Sequence, residues 1–190
     1  MPWPVEDRRN VNLAEEGEGA LLTERMKTEL REVYFPRYPT RRAVLLPALH
    51  MLQHHYNWIP PRALEELAGF LEISPAEVLD TASFYEEYWL KPKGKYLVQV
   101  CRSLACEICG SKTITDHLRR TLAIEPGETT ADGRFTLIEL ECLGSCGTAP
   151  VMLVNDVLFE NLTPQQIDEI LGGLPEDPAA FRDPSLEVEK

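Results

Sequence analysis

The chain has 190 residues, 44% of them hydrophobic, which is enough for one large or two small buried cores. Its net charge of −12 argues against nucleic acid or an anionic membrane surface as a partner, since both attract excess lysine and arginine. The longest apolar stretches, such as AVLLPAL and APVMLV, are far too short to cross a bilayer. The start, MPWPVEDRRN, has proline and acid where a signal peptide needs an apolar run, so a soluble cytoplasmic protein is expected.

Residues 1–22 mix proline, glycine and acid and read as a flexible leader. From 22 to 34 the spacing of Leu22, Met26, Leu30 and Val33 predicts a helix with those four on its buried face. Two prolines in YFPRYPT end it. A second helix is expected over 41–56, with Val44, Leu45, Ala48, Leu49 and Leu52 on the apolar side and Pro47 marking a kink or a late start. A third covers 62–71. The fourth opens at SPAE, with Ser74 as N-cap, Pro75 at the first helical position and Glu77 in the capping-box place, and runs to about Tyr85. The region 23–90 is thus predicted to be a small helical bundle.

The pattern changes at KPKGKY, and 91–174 alternates strand and helix. YLVQVC is a short β-prone run ending in Cys101, a helix follows over 113–122, and RFTLIELEC alternates as a strand does. PVMLV and VLF flank Asn155-Asp156 as a hairpin, and Thr163-Pro164 opens a last helix through TPQQIDEILGGL. This order suggests a two- or three-layer α/β unit, followed by an extended acidic tail over 175–190. The fold class is therefore α+β, helices first.

All five cysteines lie in CRSLACEIC and ECLGSC. Clustered thiols in a reducing compartment suggest metal ligation or catalysis, and the odd total argues against a simple disulfide framework. Cys106 and Cys109 could form a C-x-x-C dithiol, but that leaves three cysteines unexplained. Cys101, Cys106, Cys109 and Cys142 fit the spacing of a plant-type ferredoxin and leave Cys146 over. Alternatively, Cys101 and Cys106 from C-x4-C join Cys142 and Cys146 from C-x3-C, each pair following a predicted strand. Such a set suits an iron–sulfur cluster and also zinc. Inert buried thiols are the bland alternative.

CRSLAC, followed after 35 residues by CLGSCGTAPV, resembles the thioredoxin-like [2Fe–2S] subunit of NADH:quinone oxidoreductase, respiratory complex I. YPTRRAVLLPALHMLQHHYNWIP and SPAEVLDTASFYEEYWLKPKGKYLVQVC extend the resemblance over about 36–172. It implies a helical bundle followed by a thioredoxin-like α/β domain carrying a [2Fe–2S] cluster. By the resemblance Cys101, Cys106, Cys142 and Cys146 are its ligands, Cys109 is a bystander, and Ala149-Pro150 is a cis bond. It also implies one-electron transfer to or from the FMN of a partner flavoprotein that binds NADH. Other partners would be further hydrophilic-arm subunits, with the whole attached to the inner face of the membrane and no insertion by this chain. This chain alone would have no complete active site. The homologous diaphorase subunit of an NAD-linked hydrogenase or formate dehydrogenase shares the same motifs, and a zinc-binding structural module is the remaining alternative.

Gly144 and Gly147 read either as room for backbone N–H groups to approach the cluster sulfurs or as ordinary turn residues. His50, His54 and His55 read as a solvated helix face, since no H-E-x-x-H is present. Phe84, Tyr85, Tyr88 and Trp89 read as core or partner interface. No glycine-rich dinucleotide loop occurs, so NADH and flavin would bind elsewhere.

Overall fold

The computed structural model describes residues 19–181; most of the expected leader and most of the expected tail lie outside the described residues. The chain forms two compact units, dividing between Pro92 and Lys93.

In the first unit, α1 (Glu24–Glu29) starts at Thr23, whose hydroxyl accepts from the Met26 N–H. Instead of continuing, the chain widens into a π-helical turn over Leu30–Tyr34, closed by the Phe35 N–H donating to the Leu30 carbonyl. Leu22, Met26 and Leu30 are buried as expected, whereas Val33 is 38% exposed. The extra residue per π turn rotates the chain, so that Tyr34 and Phe35 pack on the core in its place. A short 3-10 turn over Arg42–Val44 leads into α2 (Leu45–Tyr56), so Pro47 sits in the first turn, where its missing N–H costs no internal bond. α3 (Pro61–Leu71) and α4 (Pro75–Phe84) both begin with proline. Ser74 caps α4 by accepting from the Ala76 N–H at 3.3 Å, while Glu77 pairs with Arg42 rather than closing a capping box.

The core of this unit runs from Leu22 to Leu90 and draws on all four helices. Gln53, buried in α2, ties the segment after α4 to it. Its amide nitrogen donates to the Glu87 carbonyl at 2.7 Å, and its amide oxygen accepts from the Trp89 N–H at 2.8 Å. Phe84 and Tyr85 remain exposed while Tyr88 is buried, so the aromatic run divides between surface and core. His54 and His55 are exposed, and the His50 ring lies 5.0 Å from that of Tyr88.

The second unit holds a four-stranded sheet of order β2-β1-β3-β4. β1 (Tyr96–Cys101) lies inside it, parallel to β2 (Phe135–Leu140) and antiparallel to β3 (Met152–Val154). β4 (Val157–Phe159) completes the hairpin through Asn155, which adopts φ 51°, a conformation asparagine tolerates. The Asn155 side-chain oxygen accepts from the Leu97 N–H, anchoring the turn to β1.

Alternate residues Tyr96, Val98, Val100, Phe135, Leu137, Met152 and Val154 join one core with Ile114 and Leu118 of α6 (Ser111–Leu122) and Ile167 and Leu171 of α7 (Pro164–Gly173). Both helices therefore cover the same face, and of the two layerings expected the unit adopts two layers. His117 and Asp168 join the helices at 2.7 Å. A five-residue helix, α5 (Leu104–Ile108), precedes α6 and was not anticipated from the sequence.

Gly94 passes so close to β2 that a Cβ there would lie 2.7 Å from the Phe135 carbonyl carbon, and its N–H donates to Thr136 Oγ1 at 2.6 Å. Gly94→Ala should force the chain off β2 and destabilise the fold by about 1–3 kcal/mol. Gln53→Leu keeps the volume but removes two part-buried bonds at once, for a loss of about 1–3 kcal/mol. Urea midpoints of each variant against wild type, followed by circular dichroism, would check both. Midpoints unchanged at equal m-value would contradict them.

Candidate metal centre

Parallel pairing builds the site. β1 and β2 run in register from Tyr96 beside Phe135 to Cys101 beside Leu140, so both strands end at the same edge. The open C-terminal edge of parallel strands is where α/β sheets hold ligands. Cys101 is the last residue of β1, and Cys142 follows β2 by two residues. β3 starts from the same edge and runs the opposite way, with the Val151 carbonyl just before it accepting from the Cys101 N–H at 3.1 Å.

Strand alternation turns Cys101 away from the helix-covered face. It is buried with Cys106 and Val151, against partly buried Leu143, Ala149 and Leu158. Cys106 comes from α5, whose outer residues Leu104 and Ile108 are exposed. Cys142 and Cys146 are exposed, with their sulfurs 3.9 Å apart. The site is thus half apolar and dry, half open. Cys109 caps the far end of α5 and is exposed. The bond Ala149-Pro150, directly before Val151, is cis.

Polar ties hold the two loops. The Arg102 side chain reaches from the first loop to Glu141 Oε1 at 2.6 and 3.1 Å, and the Arg102 N–H donates to the Leu140 carbonyl. The Cys101 thiol donates to the Glu141 carbonyl at 3.5 Å. Gly144, at φ 81°, donates its N–H to Cys142 Sγ at 3.4 Å, one of the backbone-to-sulfur contacts considered from the sequence. Gly147 lies in the 3-10 turn Cys146–Thr148. The hydroxyl of Ser145, between the two cysteines of the second loop, donates to Glu160 and lies 2.6 Å from the Thr148 hydroxyl. Glu160 also accepts from Thr148, and these hydroxyls hold its carboxyl below the usual range. The sequence reading missed Glu160. The polar residue directly after β4 in VLFE was the available signal.

The thiols also sense one another. Burial pushes Cys106 up to about 11, with hydrogen bonding to Cys101 adding to the rise and a hydrogen bond from the Val151 backbone opposing it. Cys146 is raised mainly by the hydrogen bond and charge of Cys142, with burial and Cys101 contributing further. Four thiolates this close repel each other unless cations sit among them, so the donor set fits a cationic, thiophilic centre. Among the described residues no three His, Cys, Asp or Glu side chains close on the position of a single ion. Two pairs on two loops suit a two-iron core, two thiolates per iron, and equally a single tetrahedral zinc. Also among the described residues, no helix is long and apolar enough to cross a membrane.

Similarity to known proteins agrees with this geometry. Subunit 2 of the NADH-quinone oxidoreductase from Thermus thermophilus is 43% identical over 151 residues, covering 78% of this chain and 83% of that protein. A homologous NADH-quinone oxidoreductase subunit from Aquifex aeolicus is 37% identical, covering 78% of this chain and 92% of its own length. Among solved structures, an NAD+-reducing [NiFe]-hydrogenase in the air-oxidised state matches 68% of this chain at TM-score 0.61 and 29% identity. This chain spans only 22% of that one. The family model described as thioredoxin-like [2Fe–2S] ferredoxin matches residues 32–175, most of both units, and the chain belongs to that family.

Proposed function

We propose that this chain is the one-electron carrier of an NADH:quinone oxidoreductase, holding its [2Fe–2S] cluster through Cys101, Cys106, Cys142 and Cys146. The observation that carries this reading is the convergence of two cysteine pairs at the shared edge of β1 and β2. When bound, the cluster supplies one-electron exchange, which complements the two-electron chemistry of a flavin reduced by NADH. Cys101 and Cys106 supply the half shielded from water by Val151, Leu143 and Leu158. Cys142 and Cys146 supply the half that faces outward, where an electron-exchange partner can approach. In this reading the partner is the FMN- and NADH-binding flavoprotein subunit, and the assembly sits on the cytoplasmic side of the membrane.

A diaphorase subunit of an NAD+-reducing hydrogenase is the second reading, favoured by the structural match at TM-score 0.61. The stronger sequence identity, 43%, supports the quinone-reducing complex. Isolation of the tagged chain from its native cells separates them. Quinone-dependent NADH oxidation in the recovered assembly supports the first reading, and hydrogen-dependent NAD+ reduction the second.

The ligand set is tested by spectroscopy of the purified chain. Cys101→Ser, Cys106→Ser, Cys142→Ser and Cys146→Ser should each lose most of the visible absorption, or shift the electron paramagnetic resonance of the dithionite-reduced protein. Cys109→Ser should keep the rhombic binuclear signal of wild type. A colourless wild-type chain with one bound zinc would sink the assignment.

A further inference from the structure

We infer that Glu160 is a positioning residue for the outward half of the metal centre, anchoring the loop of Cys142 and Cys146 and setting the charge beside it. This inference rests on the ligand reading proposed above. Cys142 and Cys146 are the exposed pair, and of the residues between them only Leu143 packs on the apolar cluster that buries Cys101 and Cys106. Beyond that one apolar contact, polar bonds tie the loop to the sheet. Its start is held by Glu141 through Arg102. At its other end, the Glu160 carboxylate accepts from Ser145 Oγ and Thr148 Oγ1, one residue before Cys146 and two after it. Glu160 follows β4 directly, so the bonds tie the loop to the hairpin. The adjoining backbone repeats the tie, with the Asn161 N–H donating to the Thr148 carbonyl at 2.8 Å and the Leu162 N–H to the Pro150 carbonyl at 3.0 Å.

Two consequences follow from physics alone. A carboxylate accepting two hydroxyl bonds fixes the direction of both donors, and through Ser145 it fixes the turn between the two sulfur-bearing residues. Partners bonded directly to a ligand typically contribute about 10- to 100-fold to metal retention, and Glu160 acts one residue removed, through Ser145 and Thr148, so a smaller contribution is expected. Secondly, a fixed negative charge next to the ligands disfavours adding an electron to the centre, so Glu160 lowers the reduction potential. A residue that only closed a surface turn would contribute neither effect.

The test compares Glu160→Ala, Glu160→Gln and Glu160→Asp with wild type in the full chain. Glu169→Gln, an exposed glutamate on α7, serves as a control that changes the net charge equally. The readouts are the rate of bleaching by an iron chelator, the midpoint of a mediated redox titration, and the electron paramagnetic resonance g-values. Glu160→Ala should bleach faster than wild type, by up to about 10-fold, and shift the g-values. Glu160→Gln, which retains an acceptor oxygen without the charge, should bleach more slowly than Glu160→Ala and titrate at a higher potential. Glu160→Asp should stay near the wild-type potential. Wild-type bleaching rates and potentials in both Glu160→Ala and Glu160→Gln would overturn the inference. A rise in potential for Glu169→Gln equal to that for Glu160→Gln would overturn its charge component. A wild-type chain that takes up no iron–sulfur cluster would instead overturn the ligand reading, and this inference with it.

Discussion

The in-register parallel pairing of β1 with β2 is the constraint on which the site depends. Cysteines 101 and 142 are far apart in sequence, and only a parallel crossover brings the ends of both strands to one edge. The connection between them carries α5 and α6, and α6 buries Ile114 and Leu118 against the strands it links. The helix therefore stabilises the pairing that brings Cys101 and Cys142 to one edge. Gly94 belongs to the same mechanism: its close approach to Phe135 sets where β1 begins beside β2, and hence where it ends. A slip of one residue there would turn Cys101 into the helix-covered core.

Around this frame the chain solves two opposed electrostatic problems. Burying thiolates costs energy, and the upward shift of Cys106 to about 11 reflects that cost. Exposing every sulfur would instead admit water and weaken the protein's influence on the centre's potential. Placing two thiols in an apolar cradle and two at the surface is a compromise between the two. It also explains why the ties differ by side. The buried pair is held by packing with Val151, Leu143 and Leu158, whereas the exposed pair relies on Arg102–Glu141, Gly144 and the Ser145–Thr148–Glu160 cluster.

Much of this was legible in the sequence, for physical reasons that differ from element to element. The faces of α2 and the alternation of β1 and β2 follow from hydrophobic periodicity, because burial demands it. The two cysteine spacings left several groupings open, and the choice of Cys101, Cys106, Cys142 and Cys146 came from the resemblance to the thioredoxin-like [2Fe–2S] subunit. Val33 illustrates the limit. A π turn is set by tertiary packing of Tyr34 and Phe35, and a 3.6-residue count cannot register the added residue. α5 was too short for any periodic signal. The role of Glu160 was hard to read because its partners lie 12 and 15 residues away, joined only when the hairpin folds.

The exposed thiol Cys109 shows why spacing alone misleads. With Cys106 it makes a C-x-x-C, and with Cys101 the front of a plant-type ferredoxin pattern. Either motif needs both sulfurs to face one centre. Here α5 separates them: Cys106 turns inward to Cys101 and Val151, while Cys109 ends the helix in solvent. The second loop supplies what the C-x-x-C appeared to offer, an exposed sulfur pair 3.9 Å apart, but from the neighbouring strand. Sheet topology, rather than local spacing, decides which cysteines are brought together.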